Sequence, residues 1–125
     1  MNPTLALVVV FSVVLSAGSQ VILKKGVIAP RVQDTLASGD VPAILMAVLT
    51  SPMIVGGLIC FGLNAFVWLY VLSKVPLSSA YPFVALGIGI TVVAGLTLFD
   101  ETVTTGGAIG VGLIILGILF VASQT

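Results

Sequence analysis

Apolar residues run through the chain in four long stretches that carry no charged side chain: Pro3 to Leu23, Pro52 to Ser73, Leu77 to Phe99 and Val103 to Gln124. An α-helix rises about 1.5 Å per residue and the hydrocarbon core of a bilayer is about 30 Å thick, so about 20 apolar residues suffice to cross it. Each stretch is long enough. A membrane-crossing strand would need only about 10 residues and would alternate polar and apolar positions, which these stretches do not. The pattern therefore predicts an all-α membrane protein with a single domain over residues 1–125 and four transmembrane helices at about 3–25, 52–74, 77–99 and 103–123.

Local signals divide the chain further. Lys24-Lys25 ends the first span, and Gly26 to Asp40 is the one polar stretch of any length; its Pro, Gly, Ser and Asp content predicts a loop. Residues Val41 to Ser73 then make 33 nearly uninterrupted apolar or small residues, too many for one crossing and too few for two with a turn. Ser51-Pro52 resolves this, because Ser is a favoured N-cap and Pro is tolerated at the first helical position, so a new helix starts there. Asp40-Val41-Pro42 is a similar signal. It leaves residues 41–50 as a short apolar helix lying at the interface or packed on the bundle. Val75-Pro76 ends the second span in a short turn, which makes the second and third spans antiparallel neighbours, and Asp100-Glu101 closes the third.

Composition narrows the class. With 59% hydrophobic and 6% charged residues, the chain lacks the charged surface that a soluble domain needs. Its charges, Lys24, Lys25, Arg31, Asp34, Asp40, Lys74, Asp100 and Glu101, all fall between the spans or at their ends. Net charge is zero and no basic run exists, so neither nucleic-acid binding nor a polybasic lipid-binding patch is indicated. The single cysteine, Cys60, reads as a small buried apolar residue; it permits no intrachain disulfide, and the absence of histidine leaves no metal site. No cofactor is implied. The N-terminus lacks the positive region of a signal peptide and its apolar run is too long for one, so the first span is expected to be retained. Lys24, Lys25 and Arg31 on one side against Lys74 on the other put the termini outside by the positive-inside rule, a bias small enough to be compatible with insertion both ways round.

Polar side chains inside the spans carry the candidate chemistry, because an unpartnered polar group in lipid costs several kcal/mol and should face another helix or a wet cavity. Ser12, Ser16, Gln20 and Lys24 recur every four residues and form one stripe from mid-membrane to a cationic end. The stripe reads either as packing serines with a snorkelling lysine or as the lining of a path for an anionic or hydroxyl-rich substrate. On the second span, Phe61, Asn64 and Trp68 share a face; Asn64 reads as interhelical glue or as a site residue, and Trp68 and Tyr70 as an interfacial aromatic belt or as site residues. Gly87, Thr91 and Gly95 give the third span a small-residue face, with Gly87-Ile88-Gly89 a flexible point. In the fourth span, Gly106 and Gly110 form a small-xxx-small pattern and Gly110 and Gly117 lie one heptad apart, a signal for helix association.

From Gly62 through Asn64 and Trp68 to Tyr81 and Pro82, and above all in the pattern Val-Pro-x-x-x-Ala-Tyr-Pro over residues 75–82, the chain resembles the drug/metabolite transporter superfamily. Ser19-Gln20, Lys24-Lys25, Phe99-Asp100-Glu101 and Gly110 to Ile118 extend the resemblance over essentially the whole chain. It looks like the half-size, four-helix EamA-like members and the small multidrug resistance transporters. Among subfamilies it is most similar to the paired small subunits that flip aminoarabinose-undecaprenyl phosphate, sharing their Gln, Lys, Trp and Ala-Tyr-Pro positions. The resemblance implies a multi-pass protein of the cell inner membrane, a homodimer or paired heterodimer around a central chamber, and the fourth span as dimer contact at Gly110, Gly117 and Ile118. Small multidrug transporters hold a membrane-embedded glutamate where this chain has Ser16. Their third-span tyrosine is matched by Tyr81, but the tryptophan three residues later is Val84. Both departures argue against a cation/proton antiporter, since no acid within the spans could carry the proton.

The leading expectation is therefore a transporter or flippase that moves a small amphipathic substrate, such as a polyprenyl-phosphate-linked sugar, by alternating access. Its substrate-binding residues would be Ser16, Gln20, Lys24, Asn64, Trp68 and Tyr81, and its other partner is membrane lipid. Two alternatives are an exporter of small solutes or drugs without the usual glutamate, and a non-transporting subunit of a membrane complex. Catalysis is not expected: there is no histidine and no paired membrane-facing acid, and a serine nucleophile would lack a base.

Overall fold

Proline and small polar caps set the helix starts. The computed structural model describes residues 2–124, and among these the regular structure is entirely helical. Helix α1 covers Pro3–Val27, α2 Pro30–Ser38, α3 Val41–Leu49 and α4 Pro52–Lys74. After the Val75-Pro76 turn, α5 (Leu77–Ala80), a 3₁₀ turn (Tyr81–Phe83) and α6 (Val84–Leu98) follow without a break, and α7 covers Thr105–Ser123. The side chain of Asn2 accepts the Leu5 N–H at 2.9 Å, Ser51 Oγ accepts the Ile54 N–H at 3.4 Å, and Thr104 Oγ1 accepts the Gly107 N–H at 3.0 Å. Each satisfies a donor that the first helical turn leaves without an intrahelical partner.

Three runs are long and apolar enough to cross a bilayer: Pro3–Val27, Pro52–Lys74 and the continuous Leu77–Leu98. Helix α7 has 19 residues and so extends about 28 Å. Helix α3, with nine residues, reaches only about 14 Å and cannot span.

The expected loop after Lys25 is instead largely helical, a correction with a clear physical reason. Pro30 occupies the first turn of α2, and Gly39 ends it in the left-handed conformation (φ 70°), the arrangement in which these two residue types bound a helix rather than prevent one. Arg31 then ties α2 to α3, its Nη2 donating to the Ala47 carbonyl at 2.8 Å and to Thr50 Oγ1 at 2.6 Å.

Helix α1 is the centre of the bundle, packed along α4 and against α6. Two glycines let α1 and α4 approach. A Cβ at Gly57 would stand 2.8 Å from the Leu23 side chain and 3.2 Å from its backbone nitrogen, and one at Gly26 would stand 2.6 Å from Ile54. Below them Val9, Val71, Val75 and Ala80 form a buried cluster on which Trp68 and Phe83 pack. The Val-Pro-x-x-x-Ala pattern is thus also a packing device, with Val75 and Ala80 closing the turn against α1. Helix α7 lies against α6 and the Tyr81–Phe83 turn.

Candidate functional site

Between α1, α4 and α6 lies a cavity of about 460 Å³, whose polar wall is Ser12, Ser16, Gln20, Asn64 and Thr91 and whose aromatic wall is Phe61 and Trp68. The four-residue spacing on α1 turns its three polar side chains to this one side. Ser12 and Asn64 are buried, and the Ser12 hydroxyl donates to Asn64 Oδ1 at 2.7 Å. Thr91 bonds back to its own helix, to the carbonyls of Gly87 (3.1 Å) and Ile88 (3.0 Å). Ser16 and Gln20 differ from these. Among the described residues neither side chain has a hydrogen-bond partner, so both present free donors and acceptors to the cavity. Ser19, off the stripe, is satisfied by the Leu15 carbonyl at 2.7 Å.

A smaller recess of about 140 Å³ shares Gln20 and Thr91 with the cavity and continues it to the end of α1. Here Lys24 Nζ meets Glu101 Oε1 at 3.3 Å, both side chains 48% exposed. The cationic end of the stripe is therefore paired rather than free, and the acid that pairs it lies just outside the charge-free spans. Asp100 takes a left-handed conformation (φ 50°), which a short polar side chain tolerates, and turns the chain so that the Glu101 N–H bonds the Gly95 carbonyl at 3.0 Å. A Cβ at Gly95 would stand 2.7 Å from Glu101 Oε2, so the glycine is what lets the carboxylate lie against α6.

Of the residues expected to meet a substrate, Ser16, Gln20, Asn64 and Trp68 line the cavity and Lys24 lines the recess. Tyr81 lines neither; it stands half-exposed in the 3₁₀ turn, while Val84, one turn further on, lines the cavity. Gly110, Gly117 and Ile118 lie on α7, and a Cβ at either glycine would meet nothing within 4 Å. Cys60 is half-buried on α4 rather than buried. Among the described residues no group of His, Cys, Asp and Glu is placed to hold a metal ion.

Long apolar helices make the chain a multi-pass membrane protein, and between three of them lies a largely apolar cavity with one polar wall. No family model matches the chain, and no solved structure does. Curated relatives do match. One is the probable 4-amino-4-deoxy-L-arabinose-phosphoundecaprenol flippase subunit ArnE of Serratia proteamaculans, 31% identical over 93% of this chain and 93% of its own. Another is the corresponding subunit ArnF of Pseudomonas paraeruginosa, 31% identical over 90% of this chain and 80% of its own. A third, subunit ArnE of Aeromonas hydrophila, is 32% identical over 57% of this chain, and the match spans 62% of that relative's length. The chain belongs to the family of these flippase subunits.

Proposed function

We propose that the chain is one subunit of an inner-membrane flippase that moves a polyprenyl-phosphate-linked sugar, of the kind named for its relatives, from one leaflet to the other by alternating access. The observation that carries this reading is that Ser16 and Gln20, polar side chains without a hydrogen-bond partner among the described residues, line a cavity that continues to a charged end at Lys24 and Glu101. Such a lining replaces the hydration of a sugar phosphate in mid-membrane while the prenyl chain stays in lipid, which separates a headgroup path from a chain path. Trp68 and Phe61 offer faces for the sugar ring. Lys24 supplies the charge for the phosphate.

The fourth crossing is α7, and α3 rests at the interface. The glycines of α7 leave room for a close helix neighbour, which supports assembly as a homodimer or paired heterodimer through Gly110, Gly117 and Ile118. Relatives of this chain are named as both subunit types, E and F, which favours the paired form. Opposed rocking of the two subunits would open the cavity to each leaflet in turn.

The test is transbilayer movement of a fluorescent prenyl-phosphate-linked aminosugar in proteoliposomes containing the chain with its genomic partner subunit. Gln20→Leu and Lys24→Ala are each expected to slow movement about tenfold, the effect of one lost hydrogen bond to a charged or polar headgroup. Unchanged rates in both variants would refute the assignment of these residues, and no movement above empty liposomes would refute the function.

A further inference from the structure

We infer that the Lys24–Glu101 ion pair is a headgroup-specificity element: it opens to receive a substrate that carries both signs of charge, Lys24 taking the phosphate and Glu101 taking a primary amine on the sugar. The inference rests on the flippase reading above and assigns to it a residue that the polar stripe alone does not contain.

Several observations converge on Glu101. Its carboxylate stands at the end of the recess that continues the cavity through Gln20 and Thr91, so a molecule leaving the cavity along the stripe meets it. Its backbone is held beside α6 by the left-handed turn at Asp100 and the 3.0 Å bond from its N–H to the Gly95 carbonyl, and the missing Cβ at Gly95 leaves room for the carboxylate. Its partner Lys24 belongs to the stripe itself. The pair is half-exposed on both sides, and pairs of that exposure contribute little to stability, so exchanging partners is inexpensive.

The chemistry fits one class of headgroup. A prenyl phosphodiester of a neutral sugar is an anion; it would compete with Glu101 for Lys24 and leave the carboxylate beside a negative charge. An aminosugar phosphodiester is zwitterionic, and it replaces the one ion pair by two, so that no charge is left unpaired when the pair opens. A carboxylate in this place therefore selects for the amine by disfavouring headgroups that lack it. The relatives are named for a phosphoundecaprenol carrying such an amine.

The experiment measures binding of two short-chain prenyl phosphodiester probes to the purified subunit pair in detergent, one bearing a 4-amino sugar and one bearing the corresponding neutral sugar. Wild type is expected to prefer the amino probe by about tenfold, the size of one charge-assisted contact. Glu101→Gln should bring the ratio close to one, and Gly95→Ala, which keeps the charge but displaces the carboxylate, should lower it severalfold. Lys24→Gln should weaken both probes. A Glu101→Gln variant that weakens both probes equally and keeps their ratio would overturn the inference and leave the flippase reading standing, because Glu101 would then only shape the site. Absence of binding of either probe to wild type would overturn the flippase reading and the inference with it. Size-exclusion profiles matching wild type show that a variant's ratio comes from folded protein; were Glu101→Gln to fail this check, the Gly95→Ala ratio decides.

Discussion

Asn64 and Ser12 meet midway along their helices, and a buried hydroxyl–amide bond of 2.7 Å in such a place holds α1 and α4 in one rotational setting. Interhelical bonds of this kind contribute about 1 kcal/mol, since the separated helices also find partners for their polar groups. Thermal unfolding of Ser12→Ala, Asn64→Ala and the double variant in detergent is expected to give a coupling energy of about 1 kcal/mol. A coupling of zero would mean that the bond does not hold the wall. The common face of Ser12, Ser16 and Gln20 was legible from their spacing, because a helix has only one geometry. Which partner each finds was not: the rotation of α4 decides that Asn64 takes Ser12 and leaves Ser16 free. Tyr81 shows the same limit. A cavity's extent along a helix depends on how the neighbouring helices close its ends, and no spacing within one helix reports it. Glu101 was hidden for a different reason, since its place depends on a single left-handed residue, Asp100, that folds the carboxylate back beside α6.

Among the elements, α4 gives the sharpest contrast, for it carries glycines in opposite situations. Gly57 faces α1 at a distance where even a methyl group meets the Leu23 backbone, whereas a Cβ at Gly62 meets nothing within 4 Å. Gly57→Ala is expected to destabilise the bundle by about 1–3 kcal/mol through overpacking, while Gly62→Ala is neutral or slightly stabilising because Ala is the better helix former. Melting temperatures of the two variants in one detergent check this, and equal shifts would contradict the close α1–α4 approach. Helix α2 carries the lesson about reading elements. Pro30, Ser38 and Gly39 have the composition of a loop, yet each stands where it bounds or ends a helix, so composition alone pointed the wrong way while position pointed the right one.

At the scale of the molecule, the charge-free stretches made the all-helical membrane class plain, because nothing else buries so many apolar residues without a charged surface. Their interiors then located the polar stripe. What the sequence left open was the arrangement, namely that α4 and α6 each pack on α1 and the three line the cavity, while α7 stands to one side with Gly110, Gly112 and Gly117 unpacked. In the proposed function the polar headgroup travels through this cavity and the prenyl chain stays outside it. Photocrosslinking tests it most directly. A photoreactive residue introduced at Ser16, on the cavity wall, is compared with one at Phe66, which is 72% exposed on the outer side of α4. Position 16 is expected to label a prenyl-phosphate-linked aminosugar bearing its tag on the headgroup, unlabelled substrate to compete this away, and position 66 to label bulk lipid without competition. Headgroup labelling at position 66 equal to that at position 16 would contradict it.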